Sequence, residues 1–389
     1  MQPLAGRRLW FVGIAGAGLS SYAFLARAWG AEVRGWDRVE TPYLRLLDGI
    51  GVTISPDPVV PEGWEPVVSS AYPEVSGTSR ADFLAELVSL RRSIVVAGAH
   101  GKTTTTGMIA FVLAELGLDP AWLVGGEIAQ LGGNAGAGEG WLVVEGDESD
   151  RTVERLRPEI AVVTNVELDH HSTFASAAEV EQLFEGWLAA VPQVVRGWEL
   201  EPATSELAVP GEHNRINAAA ALAALELAGV PRVDAEPVLA RFTGAGRRFQ
   251  LVGERNGVTV VDDYAHHPAE IAATVAAARE RTRGRVVVLF QPHLYSRTRH
   301  LAHELGAALS TADAACVTEI YRAREQPVEG VTGKLVLEAL RPGLRAGWAP
   351  TIEDGAAIVA SWARPGDIVL TVGAGDVERA GPLVLEALA

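Results

Sequence analysis

Ser93-Ile94-Val95-Val96-Ala97 runs without a break into Gly98-Ala99-His100-Gly101-Lys102-Thr103-Thr104. The apolar, β-branched run predicts a buried strand, the glycines a tight turn, and the segment from about Thr104 to Leu116 a helix. Strand, glycine loop and helix make up the repeating unit of a parallel α/β sheet, and the loop lies where such folds hold ligands. Its backbone N–H groups can cradle a triphosphate, Lys102 can neutralise the outer phosphate oxygens, and the Thr103 hydroxyl can ligate Mg²⁺. The general P-loop pattern asks for glycine five residues before Gly101, where Val96 stands. The local Gly-x-x-Gly-Lys-Thr-Thr form is narrower; its plain alternative is a lysine that happens to follow a glycine turn.

Downstream, each apolar run ends in polar chemistry. Trp141 to Glu145 leads into Gly146-Asp147-Glu148-Ser149-Asp150, and carboxylates at a strand's C-terminal end suit Mg²⁺. A solvated acidic loop is the commoner fate of such a run. Ile160 to Thr164 leads into Asn165-Val166-Glu167-Leu168-Asp169-His170-His171, where His170 is either a second metal ligand or a hydrogen-bonded loop histidine. Gly211-Glu212-His213-Asn214-Arg215-Ile216-Asn217 opens an alanine-rich helix, Asn214 to Leu227. The two asparagines are one turn apart, so both amides can face an adenine edge, although N-capping explains Asn equally simply. Further strands, Val258 to Val261 and Val286 to Phe290, lead into Asp262-Asp263-Tyr264-Ala265-His266-His267 and Gln291-Pro292-His293-Leu294-Tyr295-Ser296-Arg297. Arg247 and Arg248 precede the first of these, and arginine suits a phosphoryl group or a carboxylate.

Upstream, Arg8 to Ile14 predicts a strand and Leu19 to Trp29 its helix, joined by Gly13-Ile14-Ala15-Gly16-Ala17-Gly18. This loop can bring backbone N–H groups to a diphosphate, and Asp37, ending the next strand, can accept a ribose hydroxyl. The order is GxxGxG rather than the dinucleotide GxGxxG, and a tight strand–helix turn is the plain alternative. Leu9 to Ala26 carries no charge, but Gly13, Gly16, Gly18, Ser20 and Ser21 dilute it, so neither a signal peptide nor a membrane span is expected.

The whole chain supports that reading. Its 389 residues, 48% hydrophobic and 21% charged, suit two or three globular domains. A net charge of −16 argues against a nucleic-acid binder, and a single cysteine, Cys316, excludes a disulfide framework and fits a reducing, cytoplasmic location. Three α/β blocks are expected: 1–92, 93–243 up to the Gly244-Ala245-Gly246 break, and 244–389.

GAHGKTTTT, VVEGDESD, VTNVELDHH, GEHNRINA, RRF, VDDYAHHP and FQPHLYSRTR follow one another in the order found in the Mur ligases, which the chain resembles. GIAGAGLSS and Ser69-Ser70-Ala71 resemble that family's UDP-binding domain. The resemblance implies a Rossmann-like N-terminal domain, a trimmed P-loop-type central ATPase domain with a parallel sheet, and a Rossmann-like C-terminal domain that closes. It implies an ATP-dependent, amide-forming ligase of peptidoglycan precursor synthesis. L-alanine would join the lactoyl carboxylate of UDP-N-acetylmuramate through an acyl phosphate. The UDP-sugar would lie on Gly13, Ala15, Gly16, Ala17, Gly18, Asp37, Ser69 and Ser70. ATP would lie on Gly98, His100, Gly101, Lys102, Thr103 and Thr104, with Asn214 and Asn217 at adenine, Asp263 at ribose and Arg248 at the phosphates. Thr103, Glu145 and His170 would hold Mg²⁺ or Mn²⁺. Tyr264, His266, His293 and Arg297 would surround L-alanine, and Lys102, His170, Arg248 and His266 would be the catalytic groups. No membrane insertion is expected, and the assembly would be a monomer or weak homodimer.

Four features depart from the family pattern. The stretch between Trp187 and Gly211 lacks most of a small strand-rich appendage, the segment between Asp57 and Ser69 is compressed, Ser172 stands where a carboxylate is frequent, and Leu294 replaces a frequent arginine. The alternatives are a recycling ligase that attaches a preformed tripeptide to the same UDP-sugar, a non-catalytic UDP-sugar or ATP sensor, and an NAD-dependent oxidoreductase. The order of the first glycines and the second nucleotide loop at Lys102 argue against the last.

Overall fold

The computed structural model describes residues 2–168, 173–323 and 325–389. The apolar runs become the strands of three sheets. The first sheet contains β1 (Arg8–Val12), β2 (Glu32–Trp36), β3 (Thr53–Ile54), β4 (Glu65–Val68) and β5 (Thr78–Ser79), in the order β3-β2-β1-β4-β5, all parallel. Helices α1 (Ala17–Ala28) and α2 (Arg80–Ser89) accompany it. β1 stops at Val12, short of the expected Ile14, because Gly13 turns the chain at φ +89°. Phe11 packs edge-on against Phe83 at 5.5 Å, tying β1 to α2.

The second sheet contains β6 (Ser93–Ala97), β7 (Ala121–Ile128), β8 (Gly133–Gly136), β9 (Leu142–Glu145), β10 (Ile160–Val163) and β11 (Gln193–Arg196), in the order β11-β10-β6-β9-β7-β8. Only β8 runs antiparallel, against β7. Helix α3 (Lys102–Glu115) starts on the glycine loop and is buried on every side from Thr103 to Leu113. A helix so enclosed shows no amphipathic stripe, and its small residues let strands approach closely. Each of Met108, Ile109, Phe111, Val112 and Leu113 is buried there, which is worth about 1.5–3 kcal/mol per side chain. Helices α4 (Ala177–Leu188), α5 (Glu212–Leu227) and α6 (Arg232–Leu239) complete this part of the chain.

The third sheet contains β12 (Gln250–Arg255), β13 (Val258–Asp263), β14 (Val286–Phe290), β15 (Ala314–Thr318), β16 (Arg345–Ala349) and β17 (Ile368–Val372), in the order β12-β13-β17-β14-β15-β16. Only the edge strand β12 is antiparallel. Helices α7 (Pro268–Arg281), α8 (Tyr295–Leu309), α9 (Lys334–Glu338) and α10 (Ile352–Trp362) connect its strands, and α11 (Ala380–Ala387) follows the last of them. Two apolar layers form its core, one around Ile271, Val288 and Phe290 and the other around Val287, Leu289 and Val369. Cys316 is a free, buried thiol in the second layer.

The chain divides into two compact units. The first holds Met1–Glu167, Ala177–Ser205 and Ile216–Phe242 and contains the first two sheets; the second holds Glu206–Arg215, Thr243–Ala389 and a short stretch after Glu167. Among the described residues no helix is long and apolar enough to cross a membrane.

Candidate active site

In the first unit, parallel pairing brings three strand ends together: Val96 of β6 lies opposite Glu145 of β9, and Ala97 opposite Val163 of β10. The glycine loop, the acidic loop and the Thr164-Asn165 segment therefore meet at one sheet edge. Gly98 (φ +125°) and Gly101 (φ +79°) are required there. A Cβ on Gly98 would stand 2.4 Å from Thr164 Oγ1, and one on Gly101 2.4 Å from Asn217 Oδ1. The loop is braced from β10, where Asn165 Oδ1 accepts from the His100 N–H at 3.0 Å and Thr164 Oγ1 donates to the His100 carbonyl.

Lys102 Nζ donates to the carboxylate of Glu148 at 3.0 and 3.1 Å and to the carbonyls of Gly98 and Ala99 at 2.5 and 3.3 Å. Burial pulls its pKa down, but Glu148, then Asp147 and Glu145, outweigh it and hold the ammonium above its ordinary value. Glu148 is only 3% exposed, so the acidic run is not the solvated loop that its composition suggests. Composition alone did not single out Glu148; the signal was Lys102 itself, a half-buried cation that needs an anion. Thr103 Oγ1 donates to Glu145 Oε2 at 3.3 Å, and Glu145 Oε1 accepts from the Gly125 N–H at 2.5 Å. Thr103 and Glu145 thus present hard oxygen donors beside a half-buried cation, a set that fits Mg²⁺. Thr104 is buried in the first turn of α3. His100 Nε2 donates to Glu167 Oε2 at 3.1 Å. His170, with Asp169, His171 and Ser172, lies outside the described residues.

The first sheet carries the other glycine loop, Gly13 to Gly18. Asp37 Oδ2 accepts from the Ala15 N–H at 2.9 Å, and Asp37 Oδ1 accepts from the Tyr72 hydroxyl at 2.6 Å. The carboxylate expected to receive a ribose thus also holds the loop in shape. Gly13 lies against Ser69 and Tyr72, while Gly16 and Ala17 open α1. Ser69 and Ser70 line a small cleft of about 210 Å³ with Tyr72, Ser79, Arg80 and Asp150.

In the second unit, Asp263 ends β13 and is nearly enclosed. Its Oδ2 accepts from the Phe249 N–H and its Oδ1 from the Ala265 N–H, both at 2.8 Å. Burial pushes its carboxyl up to about 6, against the pull of Arg248 and of those two N–H groups. Arg248 Nη1 donates to Glu270 Oε1 at 3.3 Å, and its guanidinium lies 5.2 Å from the Tyr264 ring centre. Glu270 Oε2 accepts from the His266 and His267 N–H groups at 3.0 and 3.3 Å, closing the first turn of α7. Pro268 followed by Glu270 is an N-terminal helix signature that could have identified this carboxylate in advance. His266 Nδ1 donates to the Tyr264 carbonyl at 3.1 Å and lies 3.5 Å from Glu270, which leaves the basic lone pair of the neutral ring on Nε2.

His293 follows β14. Arginine can only donate, so Arg297 Nη1, 3.1 Å away, makes His293 Nδ1 an acceptor. Tyr264, His266, His293 and Tyr321 form a row of rings 5.4, 5.9 and 5.8 Å apart. Three of the four were expected. Tyr321 was not, because it reaches the row from the loop after β15, through backbone bonds with Pro292 and Leu294. Leu294 adopts φ +71°, a strained value for leucine, and turns the chain between His293 and α8. Asn214 Nδ2 donates to the Pro210 carbonyl at 2.6 Å within the second unit, while the Asn217 amide lies close against Gly101 within the first.

Known proteins share this architecture. Residues 96–193 match the Mur ligase middle domain, and residues 247–375 match the Mur ligase glutamate ligase domain. The UDP-N-acetylmuramate–L-alanine ligase of Streptomyces coelicolor is 40% identical over 459 residues, covering 99% of this chain and 98% of the relative. That alignment is longer than the chain, so the relative fills stretches that this chain omits. The crystal structure of UDP-N-acetylmuramate-alanine ligase from Thermotoga maritima superposes with a TM-score of 0.78 at 25% identity, over 98% of this chain and 99% of that one. A murein peptide ligase from Psychrobacter arcticus shares the fold at a TM-score of 0.64 and 23% identity, over 98% of this chain and 99% of that one. Matched by family models in its middle and last parts and by a relative along nearly its whole length, the chain belongs to the Mur ligase family.

Proposed function

We propose that the chain is an ATP-dependent ligase that joins L-alanine to the lactoyl carboxylate of UDP-N-acetylmuramate. A carboxylate is a poor acyl donor because it would have to expel oxide. Transfer of the γ-phosphoryl group makes an acyl phosphate and ADP. Attack by the neutral amine then forms the amide and releases inorganic phosphate and one proton.

Lys102 is the group proposed to face the β- and γ-phosphates, trading its bonds to Glu148 for phosphate oxygens. Thr103 and Glu145 would hold Mg²⁺ or Mn²⁺, which supplies charge neutralisation where two anions must meet. In the second unit, Arg248 and Asp263 are proposed for the ATP phosphates and ribose. Tyr264, His293 and Arg297 are proposed for the amino acid. His266, oriented through Nδ1, has the lone pair that would take the amine's proton. The two serines beside the first glycine loop are proposed for the UDP-sugar.

The observation that carries this reading is the Lys102–Glu148 pair seated on a glycine loop beside Thr103 and Glu145. Full-length relatives that carry the single-amino-acid name favour L-alanine over a preformed tripeptide. The test offers UDP-N-acetylmuramate, ATP and Mg²⁺ with a panel of amino acids and the tripeptide, and follows phosphate release. Release that depends on both UDP-N-acetylmuramate and L-alanine is expected. Release with the tripeptide alone, or without the UDP-sugar, would overturn the assignment.

A further inference from the structure

Arg80, the first residue of α2, touches three parts of the first unit. Its Nη2 donates to Asp150 Oδ2 at 2.5 Å and lies 3.5 Å from Asp147 Oδ2. Its side chain lines the cleft that also contains Ser69, Ser70 and Ser79. A Cβ built on Gly18 would stand 3.5 Å from its Nη1, so the guanidinium also passes the first glycine loop.

The acidic loop that it grips is held in part by its own side chains. Asp147 Oδ1 accepts from the Ser149 N–H at 2.9 Å, and Asp150 Oδ1 accepts from the Thr152 N–H at 3.0 Å. Between them Glu148 holds Lys102, and the strand entering the loop ends at Glu145. One guanidinium therefore links a polar cleft beside one glycine loop to the carboxylates that face the other. An incoming anion would compete with Asp150 and Asp147 for Arg80, whose planar fork can serve two acceptors at once. Drawing Arg80 toward that anion strips positive charge from the acidic loop, which then attracts a cation-bearing nucleotide more strongly.

We infer that Arg80 is a positioning residue that couples occupancy of this cleft by an anionic, nucleoside-diphosphate-linked acid to nucleotide binding at the Lys102 loop. The inference rests on the substrate reading above. By linkage the coupling is reciprocal, and each ligand must tighten the other by the same factor.

The test is calorimetric titration of a non-hydrolysable ATP analogue with Mg²⁺, with and without saturating UDP-N-acetylmuramate. In the wild type the UDP-sugar should tighten the analogue by about five-fold or more, the weak end of ordinary site–site coupling. In Arg80→Gln, which strips that charge permanently, the analogue alone should already bind about five-fold tighter than to the wild type, and the ratio should fall to about one. Arg80→Lys, which keeps the charge but loses the fork, should fall between. Asp150→Asn preserves the acceptor for the Thr152 N–H and removes only the ion pair, so its ratio should also collapse even if Arg80→Gln folds poorly. A wild-type ratio of one, or a full ratio in Asp150→Asn and in folded Arg80→Gln, would overturn the inference. So would loss of analogue binding in the variants without the UDP-sugar. Turnover of UDP-N-acetylmuramate with L-alanine by the wild type, measured in parallel, reports on the substrate reading separately.

Discussion

Lys102→Ala removes a cation that serves two purposes, and the structure allows the two to be measured apart. The ammonium has four acceptors: both oxygens of Glu148 at 3.0 and 3.1 Å, and the carbonyls of Gly98 and Ala99 at 2.5 and 3.3 Å. Gross attraction across 3 Å at an effective dielectric of 20 is about 5–6 kcal/mol, most of it offset by desolvation of both ions. Removing one partner is a different matter, because the buried Glu148 carboxylate then loses the ammonium it accepts from. That costs roughly 3–5 kcal/mol. Urea unfolding at neutral pH should show this loss, and phosphate release dependent on the UDP-sugar should fall by about a thousand-fold or more. Lys102→Met combined with Glu148→Gln removes both charges of the pair. It should recover most of the stability and none of the activity. A single mutant less than about 1 kcal/mol below wild type would refute the buried-pair argument, and one that turns over normally would refute the role in ATP chemistry.

Three further outcomes follow from other residues. Glu145→Gln should raise the Mg²⁺ concentration for half-maximal turnover by about ten-fold or more, read from a metal titration; an unchanged midpoint would remove Glu145 from the metal set. Asp263 has its folded pKa raised from 3.8 to about 6, so the native state keeps a proton that the unfolded chain has already released across that window. Its contribution is present below the unfolded value and is lost as pH rises toward about 6, by roughly 3 kcal/mol, so Asp263→Asn should flatten stability against pH over that range in parallel denaturant titrations. Leu294→Gly relieves a positive φ and should raise stability by about 0.5–1 kcal/mol in thermal melts; a loss of similar size would show that the side chain's packing outweighs the strain.

The α/β class and the strand that leads into each motif were legible because β-branched runs are nearly continuous in buried parallel strands. Ser93–Ala97 and Val286–Phe290 are such cases. Seven strands went unseen (β3, β5, β7, β8, β11, β12 and β16), and three of them have weak patterns for identifiable reasons. β7 carries Gly125 and Gly126, β8 is half glycine, and the edge strand β12 is largely exposed. An edge strand buries too little to enforce alternation.

The chain's own chemistry determined which residue types stand at strand ends: glycines where backbone must approach, Lys102 and Thr103 after a turn, carboxylates after β9. Local spacing could carry that much, because each motif lies within one loop. Only the tertiary structure decided which carboxylate meets Lys102, that Tyr321 extends the His266–His293 row, and that Arg80 reaches from α2 to Asp150. Those pairings join residues far apart in the chain, and the parallel sheets bring them together by register and crossover, which no local pattern encodes.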